Sequence, residues 1–397
     1  MPSLPPGPAG PPPAETAPLD FVGVGLVALG TVMTLARPFG SDNDWKSDAT
    51  RLWEPELGTF VSLAADVLRR WGRRVALMTT MGEDADGERL RALLCERRIE
   101  LMYARVSPCT GRQVVLTPAG TEIRYIVDRH VVRPPLGEEG RAALGLVAER
   151  LAARGCRWLA FDKYETDLVE ALVSSPAWRR EEARPGVLFE TGSRPLALTE
   201  AHDAAQGTTP ELGRVGDTDV FTTTWEWLEA LARVAPAAVE ALGEDTLGRP
   251  EDAHEEGGPL VRLLRAVVFR PGASRPVLAL ITAGSRGCLV VTRRPDGDGL
   301  VVRRQAVFTN RERATFRTHS RVGAGDVFRA ALVGQLLDQG IGPGELPEFV
   351  AREGENWVAR AQRASFLWLV RQPEEGNYWG AFPTEPSALG AQLLPRR

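Results

Sequence analysis

The segment Val322-Gly323-Ala324-Gly325-Asp326 holds the residue types that could do chemistry. It opens a small, apolar stretch that predicts a helix over 324–339. Small residues let a ligand approach the backbone, and the free N–H groups of a helix N-terminus favour an anion. A carboxylate beside that anion could take a proton from an attacking hydroxyl, so the pattern suits phosphoryl transfer. A structural helix start, with Asp326 facing the helix dipole, fits the local pattern equally well.

Strand and helix patterns alternate along most of the chain. This alternation predicts an α/β fold of three layers, a mostly parallel sheet with helices on both faces. The predicted strands cover 21–27, 75–79, 158–161, 187–190, 277–282 and 288–291. The predicted helices cover 60–71, 88–97, 165–174, 225–234, 324–339 and 353–370. An acidic, Gly-rich segment over 243–258 is expected to form a surface loop.

Two segments interrupt this alternation and predict a small β lid. The first is a mixed polar segment around 30–56, and the second, around 110–133, contains a β-hairpin whose strands flank Pro118-Ala119-Gly120. We expect the lid to lie over the carboxyl ends of the strands, where open α/β sheets bind ligands. Residues 1–19 are rich in Pro, Ala and Gly and predict a disordered tail, which leaves 20–395 as one domain.

The composition argues against several classes of function. The net charge of −4 gives no global positive field for nucleic acid. The sequence has no apolar run that could span a membrane and no basic, apolar leader, so a cytoplasmic location is the default expectation. The four scattered cysteines lack zinc-ligand spacing, and the acidic cluster Glu83-Asp84-Asp86 is explained most simply as a helix cap.

Several segments, taken in order, resemble the ribokinase/PfkB carbohydrate kinases. Gly323 to Asp326, followed by Val-Phe-Arg-Ala-Ala, resembles the second signature of that family. The likeness also covers the first strand, the next helix, strand and turn, the lid hairpin and a Thr-x-Gly-x-x-Gly turn, with ketohexokinase-like members closest. These segments are Val24–Leu29, Leu68–Gly72, Val75–Gly87, Tyr125–Arg129 and Thr282–Gly287. The resemblance implies the ribokinase-like fold and ATP-dependent phosphorylation of a hydroxyl group.

The resemblance also implies roles at the reacting end of the site. Asp326 would be the catalytic base. The backbone of Gly323, Ala324 and Gly325 would form the anion hole for the transferred phosphoryl group. Glu226 stands where the family's Asn-x-x-Glu motif has its glutamate, which helps to hold Mg²⁺ and phosphates through water.

Further along, the resemblance implies a nucleotide-binding surface. Thr282, Gly284 and Gly287 would lie along the nucleotide, and the segment around Asn356 would face its base. Family lids often pair with each other, so a homodimer through the lid is an expectation drawn from the resemblance alone.

The sequence departs from the family at the positions that grip a sugar. Gly30 stands in place of an aspartate that binds sugar hydroxyls, and Leu57-Gly58-Thr59-Phe60 replaces a Gly-Gly pair with an asparagine close behind. Thr223 replaces the asparagine of Asn-x-x-Glu, and Ser320-Arg321 replaces an Asp-Thr pair, which also puts the family's monovalent-cation site in doubt. A site around Gly30 and Gly58 that lacks those hydrogen-bond partners should bind ordinary sugars poorly.

Arg321 is the clearest gain at the substrate end. Beside a phosphate site it could clamp an anionic substrate or the transferring phosphoryl group, although an exposed arginine is the plainer interpretation. Trp45, Trp53 and Phe60 could face a flat or apolar substrate, and lid core is again the plainer interpretation.

Three functions remain open at this point. The first is a kinase that acts on a hydroxyl of a small molecule other than a standard sugar. The second is a degenerate kinase fold that binds a nucleotide or metabolite as a regulator. The third is a dinucleotide-dependent oxidoreductase, suggested by Gly23-x-Gly25, although the next glycine, Gly30, falls at the wrong spacing.

Overall fold

The computed structural model describes most of the chain. The described residues are 17–35, 49–118, 124–127, 135–178, 184–192, 195, 210–253, 257–271, 274–294, 299–305 and 323–370.

Thirteen strands and nine α-helices lie within these ranges. The strands are β1 (Leu19–Val24), β2 (Ala28–Leu35), β3 (Ala49–Gly58), β4 (Val75–Gly82), β5 (Glu100–Ser107), β6 (Gly111–Pro118), β7 (Arg124–Val127), β8 (Cys156–Asp162), β9 (Gly186–Glu190), β10 (Val220–Thr224), β11 (Leu278–Thr282), β12 (Cys288–Arg293) and β13 (Leu300–Gln305). The helices are α1 (Phe60–Arg70), α2 (Ala85–Glu96), α3 (Glu138–Arg154), α4 (Thr166–Val173), α5 (Trp225–Val234), α6 (Pro236–Leu242), α7 (Pro259–Val267), α8 (Ala324–Asp338) and α9 (Leu346–Val370). None of these helices is long and apolar enough to cross a bilayer.

The central sheet has nine strands in the order β13-β12-β11-β10-β9-β8-β1-β4-β5. The seven strands from β11 to β5 are parallel, and β12 and β13 extend the sheet as antiparallel strands. The predicted mostly parallel sheet is therefore confirmed. Because the parallel strands all point the same way, their carboxyl ends form one edge of the sheet.

Helices cover both faces of this sheet. Successive side chains of a strand point to opposite faces, and in β11 Leu278 and Leu280 enter one core while Ala279 and Ile281 enter the other. The first core packs against α1, α2, α8 and α9, and the second packs against α3 to α7. Because both faces of the strands are buried, the strands carry continuous apolar runs, as in other parallel sheets.

A separate four-stranded sheet, ordered β3-β2-β6-β7, forms the predicted lid. β2 pairs antiparallel with β3 and parallel with β6, and β6 and β7 form the predicted hairpin. β1 leads into β2 after a short turn, and β3 leads directly into α1. The lid is thus connected to the carboxyl-end edge of the central sheet.

Local sequence explains how several helices begin. The Asp84 carboxylate accepts a hydrogen bond from the Gly87 backbone N–H at 2.8 Å, which confirms the predicted helix cap before α2. In α5, the Thr224 hydroxyl accepts one from the Trp227 backbone N–H at 3.1 Å. The expected surface loop over 243–258 is wrong in part, because Leu247, Pro250 and Ala253 are buried.

Candidate active site

The start of α8 provides free backbone donors at the carboxyl-end edge of the sheet. Gly323 adopts a left-handed conformation (φ 76°, ψ −2°) as the N-cap residue, and its carbonyl accepts a hydrogen bond from the Val327 N–H at 2.9 Å. Glycine takes this conformation without strain. It also has no side chain, so the N-cap residue itself cannot occupy the N–H groups of the first turn.

The next two residues keep this helix start open and fixed. The Ser365 hydroxyl, on α9, donates to the Ala324 carbonyl oxygen at 2.7 Å. A Cβ atom on Gly325 would lie 2.8 Å from Nη1 of Arg329, so a larger residue there would require that side chain to shift. Gly323, Ala324 and Gly325 therefore form the start of α8, and their role as an anion hole stays a prediction.

Asp326 stands in the first turn of α8, and 28% of its side chain is exposed. Burial raises the pKa of Asp326 to about 7; the positive charge of Arg329 opposes this rise, and the negative charge of Glu190 adds to it. A base works best when its pKa lies near the working pH. The pKa of Asp326 would suit a general base at neutral pH, and its role as the base stays a prediction.

Arg329 joins this helix start to the central sheet. Its guanidinium group is buried and donates to Glu190, at the end of β9, at 2.7 Å and to the Thr222 hydroxyl, on β10, at 3.2 Å. Its Nη1 lies 3.9 Å from the carboxylate of Asp326. A positive charge is thus fixed between the two carboxylates, beside the N-terminus of α8.

Hydroxyl groups line the neighbouring strand ends. The hydroxyls of Thr191 and Thr223 are 2.7 Å apart and share a hydrogen bond. The Thr282 hydroxyl, at the end of β11, donates to the Thr223 carbonyl oxygen at 3.2 Å. The resemblance implies an asparagine at the position of Thr223, whose hydroxyl is engaged by Thr191.

Glu226 follows β10 in the first turn of α5, with an exposed side chain. Because β10 is one of the parallel strands, Glu226 lies at the same edge of the sheet as Asp326. The structure therefore places the predicted Mg²⁺-associated carboxylate on the correct edge, and its role stays a prediction.

The predicted nucleotide turn joins β11 to β12. Gly284 (φ 54°) and Gly287 (φ 104°) both have positive φ angles, and Ala283 donates to the Gly287 carbonyl oxygen at 2.8 Å. Turn geometry alone requires glycine at these positions. Their contact with a nucleotide stays a prediction.

Asn356 lies on the exposed face of α9, where its amide donates to Glu353 at 3.4 Å. Ser365 is the α9 residue that contacts the start of α8. Asn356 is nine residues earlier, roughly 14 Å along the helix axis. This separation places Asn356 away from the anion hole, and its predicted contact with the base stays a prediction.

The predicted substrate residues Gly30 and Gly58 belong to the lid sheet. Gly30 is buried in β2, paired with Glu56 and Gln113. A Cβ atom on Gly58 would lie 3.1 Å from Oε1 of Gln113 and 3.2 Å from the Ala28 carbonyl oxygen. The lid backbone is therefore packed tightly around Gly58, where the resemblance implies sugar-binding groups.

Thr59 follows Gly58 in a conformation that is almost exclusive to glycine (φ 79°, ψ 162°). Its hydroxyl donates to the Leu26 carbonyl oxygen, just beyond β1. The backbone here thus has the shape of a glycine position although the residue is threonine. Such strain is most often found at functional sites.

A second buried carboxylate lies at the same edge of the sheet. Asp162, at the end of β8, accepts hydrogen bonds from the Leu26 N–H at 3.1 Å and the Tyr164 N–H at 2.9 Å. Burial raises the pKa of Asp162 to about 8; the two N–H donors oppose this rise, and Glu165 and Glu190 add to it. Asp162 fixes the turn after β1, between the two cores.

Comparison with known proteins identifies the architecture. No protein-family model matches the sequence, and no curated protein is similar to it. Solved structures do match. Ribokinase from Giardia lamblia aligns with a TM-score of 0.63 at 16% identity, covering 95% of this chain and 98% of that one. Ribokinase from Thermotoga maritima aligns with a TM-score of 0.58 at 17% identity, covering 94% and 98%.

Two further structures extend this similarity. Ribokinase from Cryptococcus neoformans, solved in complex with ADP, aligns with a TM-score of 0.58 at 15% identity, covering 94% of this chain and 100% of that one. A nucleoside kinase from Methanocaldococcus jannaschii aligns with a TM-score of 0.54 at 12% identity, covering 94% and 98%. This chain has the ribokinase fold. The fold predicted from the sequence is confirmed, and identities this low show the fold alone.

Within the ribokinase fold, the oxidoreductase hypothesis loses its support. A dinucleotide fingerprint must lead from a strand into a helix. Here Gly23 and Gly25 are followed by the lid strand β2. A Cβ atom on Gly23 would lie 2.7 Å from Leu77 and 3.1 Å from Val61, so this glycine allows close packing between β1 and α1.

Some predicted residues lie outside the described part of the chain. These residues are Arg321, Ser320 and Trp45. The hypothesis that Arg321 binds an anionic substrate or the transferring phosphoryl group therefore stays a prediction. The side chain of Trp53 is also outside it. Phe60 is buried in the core at the start of α1, as the plainer interpretation expected.

Arg329, Glu190 and Asp162 are polar residues of the site that the sequence-based predictions missed. Asp162 and Glu190 each end a buried apolar strand, the position where ligand groups occur in this architecture. Arg329 interrupts an apolar run of α8 with a charge. Both patterns are visible in the sequence, but the pairing of Arg329 with Glu190 links residues 139 positions apart and only the fold shows it.

Proposed function

We propose that this protein is a small-molecule kinase of the ribokinase/PfkB type, which transfers the γ-phosphoryl group of ATP to a hydroxyl group. The observation that carries the proposal is Asp326. Its pKa is raised to about 7, and it stands in the first turn of α8 beside the open backbone of Gly323 to Gly325. A base and an anion site are thus combined on one helix start.

In the proposed reaction, the Asp326 carboxylate takes the proton of the acceptor hydroxyl. The hydroxyl oxygen forms a bond to the γ-phosphorus, and the bond from that phosphorus to the β–γ bridging oxygen breaks. The electron pair leaves with ADP. The backbone N–H groups of residues 323–325 stabilise the negative charge on the transferred phosphoryl group.

The nucleotide would lie along the carboxyl-end edge of the sheet. The Thr282–Gly287 turn supports this placement, as does the ADP complex of the Cryptococcus neoformans ribokinase. Within the described ranges, no cluster of three His, Cys, Asp or Glu residues could hold a metal alone. The exposed Glu226 fits Mg²⁺, which takes few carboxylates and keeps several waters. A bound Mg²⁺ would neutralise charge on the phosphates.

The acceptor is proposed to be a hydroxylated metabolite other than a common sugar. Gly30 offers no carboxylate to sugar hydroxyls, and the Thr223 hydroxyl is already engaged by Thr191. An acceptor site that leaves sugar hydroxyls without partners rejects sugars. The nucleoside kinase with the same fold supports acceptors of a different class.

The second candidate is a degenerate kinase that binds a nucleotide or metabolite without turnover. The observation that favours it is the same loss of polar groups, at Gly30 and in the tight packing of Gly58 against Gln113. The presence of Asp326 beside an open helix start favours the active enzyme over this candidate.

The experiment is a phosphoryl-transfer screen with radiolabelled ATP and Mg²⁺. The acceptor panel contains sugars, sugar phosphates, nucleosides and hydroxylated cofactor precursors. We expect at least one non-sugar acceptor to be labelled, with ribose and fructose labelled poorly. A rise in melting temperature with ATP, but not with NAD, is expected beforehand. ATP binding without transfer to any acceptor would favour the degenerate kinase, and no response to ATP would contradict both.

Two further expectations join this proposal. The protein would act in the cytoplasm, and it would form a homodimer through the lid sheet. Both derive from the sequence and its resemblance, and size-exclusion chromatography with light scattering tests the second.

A further inference from the structure

Arg329 is a charged side chain in the middle of the core helix α8. Its side chain is 5% exposed, and it lies three residues after Asp326, which places both side chains on the same face of the helix. Its neighbours along the chain, from Val327 to Leu337, are mostly buried apolar residues. Burying a guanidinium group is costly unless it is fully paired, so its presence calls for an explanation.

Three contacts hold Arg329 in a single orientation. Nη2 donates to Glu190 at 2.7 Å, and Nε donates to the Thr222 hydroxyl at 3.2 Å. The guanidinium carbon lies 5.7 Å from the centre of the Phe60 ring. Two of the three guanidinium nitrogens are thus fixed, Nη2 by the end of β9 and Nε by the middle of β10, and the orientation of the third nitrogen follows from them.

The third nitrogen, Nη1, lies beside the first turn of α8. It would be 2.8 Å from a Cβ atom on Gly325, and it is 3.9 Å from the Asp326 carboxylate. That second distance is too long for a hydrogen bond, so Nη1 does not use its donors on the base. Nη1 therefore lies beside the backbone of the first turn, next to Asp326 but not bonded to it.

We propose that Arg329 presents Nη1 to the γ-phosphoryl group of the bound nucleoside triphosphate, as a side-chain donor that completes the anion hole, with Glu190 and Thr222 as the positioning residues that aim it. This inference rests on the proposed function and names a further residue of that site. A charged donor forms a stronger hydrogen bond to phosphate than a backbone N–H does. It also places a positive charge where negative charge is transferred.

The competing explanation is that Arg329 only tethers α8 to β9. A tether would affect the stability of the fold, and its loss would then change the affinities for all nucleotides equally. A γ-phosphate contact would affect ATP and leave ADP nearly unchanged, because ADP lacks that group. The ratio of the two affinities therefore separates the explanations.

The experiment is calorimetric titration of ATP and of ADP, each with Mg²⁺, into the wild type and Arg329→Gln. We expect Arg329→Gln to weaken ATP binding by roughly 10- to 100-fold, the loss typical of a charged hydrogen bond, with ADP affinity changed by less than about threefold. Arg150→Gln is the matched control, since Arg150 is exposed on α3, across the central sheet from α8, and it should leave both affinities unchanged.

Arg329→Gln leaves Glu190 buried without its partner, so the double variant Arg329→Gln/Glu190→Gln serves as a second test. It removes both charges together, so no unpaired charge stays buried. We expect it to fold and still to lack the preference for ATP over ADP. Recovery of that preference in the double variant, or an equal loss of ATP and ADP affinity in the single variant, would overturn the inference and leave the kinase proposal intact. A wild type that does not bind ATP would overturn both.

Discussion

The two ends of the candidate cleft differ sharply in the polar groups that they hold. The catalytic end consists of residues 323–329 with Glu190 and Thr222, and it combines an open helix start with three charged side chains. The predicted acceptor end consists of Gly30, Gly58, Thr59 and Gln113, and its two glycines stand where the resemblance implies sugar-binding groups. The reaction type and the substrate are therefore indicated by separate parts of the molecule.

This difference has an energetic side. Burying each charge at the catalytic end costs folding free energy. A helix with a purely structural role would not need such a charge. The acceptor end holds tight backbone packing and one strained residue, Thr59, but no buried charge among the four residues that define it. A fold that keeps the costly groups at one end is more easily explained by retained chemistry there than by packing.

The largest effect on stability is expected at the catalytic end, from Glu190→Gln. This change leaves the guanidinium of Arg329 buried without its carboxylate, and breaking a buried pair in this way costs about 3–5 kcal/mol. Urea unfolding measures the loss of free energy. Glu348→Gln is the control, because Glu348 is exposed and its ion pair with Arg352 is worth little. Equal stability of the two variants would show that the catalytic end carries no such cost.

The pH dependence of the reaction sharpens the comparison further. The active form of Asp326 is deprotonated, and its pKa is raised to about 7, so kcat/KM should rise about tenfold per pH unit below 7 and level off above it. In Glu190→Gln, a negative charge that raises this pKa is removed while Arg329 remains, so the midpoint should move to lower pH. A wild-type rate that is constant between pH 5 and 8 would contradict the assignment of Asp326 as the base.

The smallest effect is expected at the acceptor end, from Thr59. Thr59→Gly and Thr59→Ala both remove the hydroxyl that donates to Leu26, but only glycine relieves the positive φ angle. We expect the glycine variant to be more stable than the alanine variant by about 1 kcal/mol. Thermal unfolding of the two variants measures the difference. An alanine variant as stable as the glycine variant would show that the backbone at Thr59 is not strained.

Much of the fold could be predicted from the sequence because local patterns determine it. The bounds of α5 match the predicted 225–234, and the hairpin of β6 and β7 follows from alternation around a Gly turn. β5 was missed because it is an edge strand whose apolar residues are mixed with exposed ones. α3 was missed because Ala and Gly interrupt its apolar pattern. The predicted start of α9 at 353 was seven residues late, since Leu346 and Phe349 already belong to its buried face.

The candidate site could be predicted only where its residues are close in the sequence. Residues 323–326 form one short motif, so their common position was visible. The network around Arg329 joins β9, β10 and α8, and long-range contacts of this kind depend on strand order. The raised pKa of Asp326 likewise depends on burial and on Glu190, neither of which the sequence displays.

The most direct test of the account is the rate of phosphoryl transfer by Asp326→Asn beside the wild type, with the best acceptor of the panel. Removing a general base should lower kcat by about 10²- to 10⁴-fold, while the rise in melting temperature with ATP persists. Asp338→Asn, at the opposite end of α8, is the control and should keep its rate. A rate in Asp326→Asn equal to that of the wild type would contradict the central claim that the catalytic end of this fold transfers a phosphoryl group.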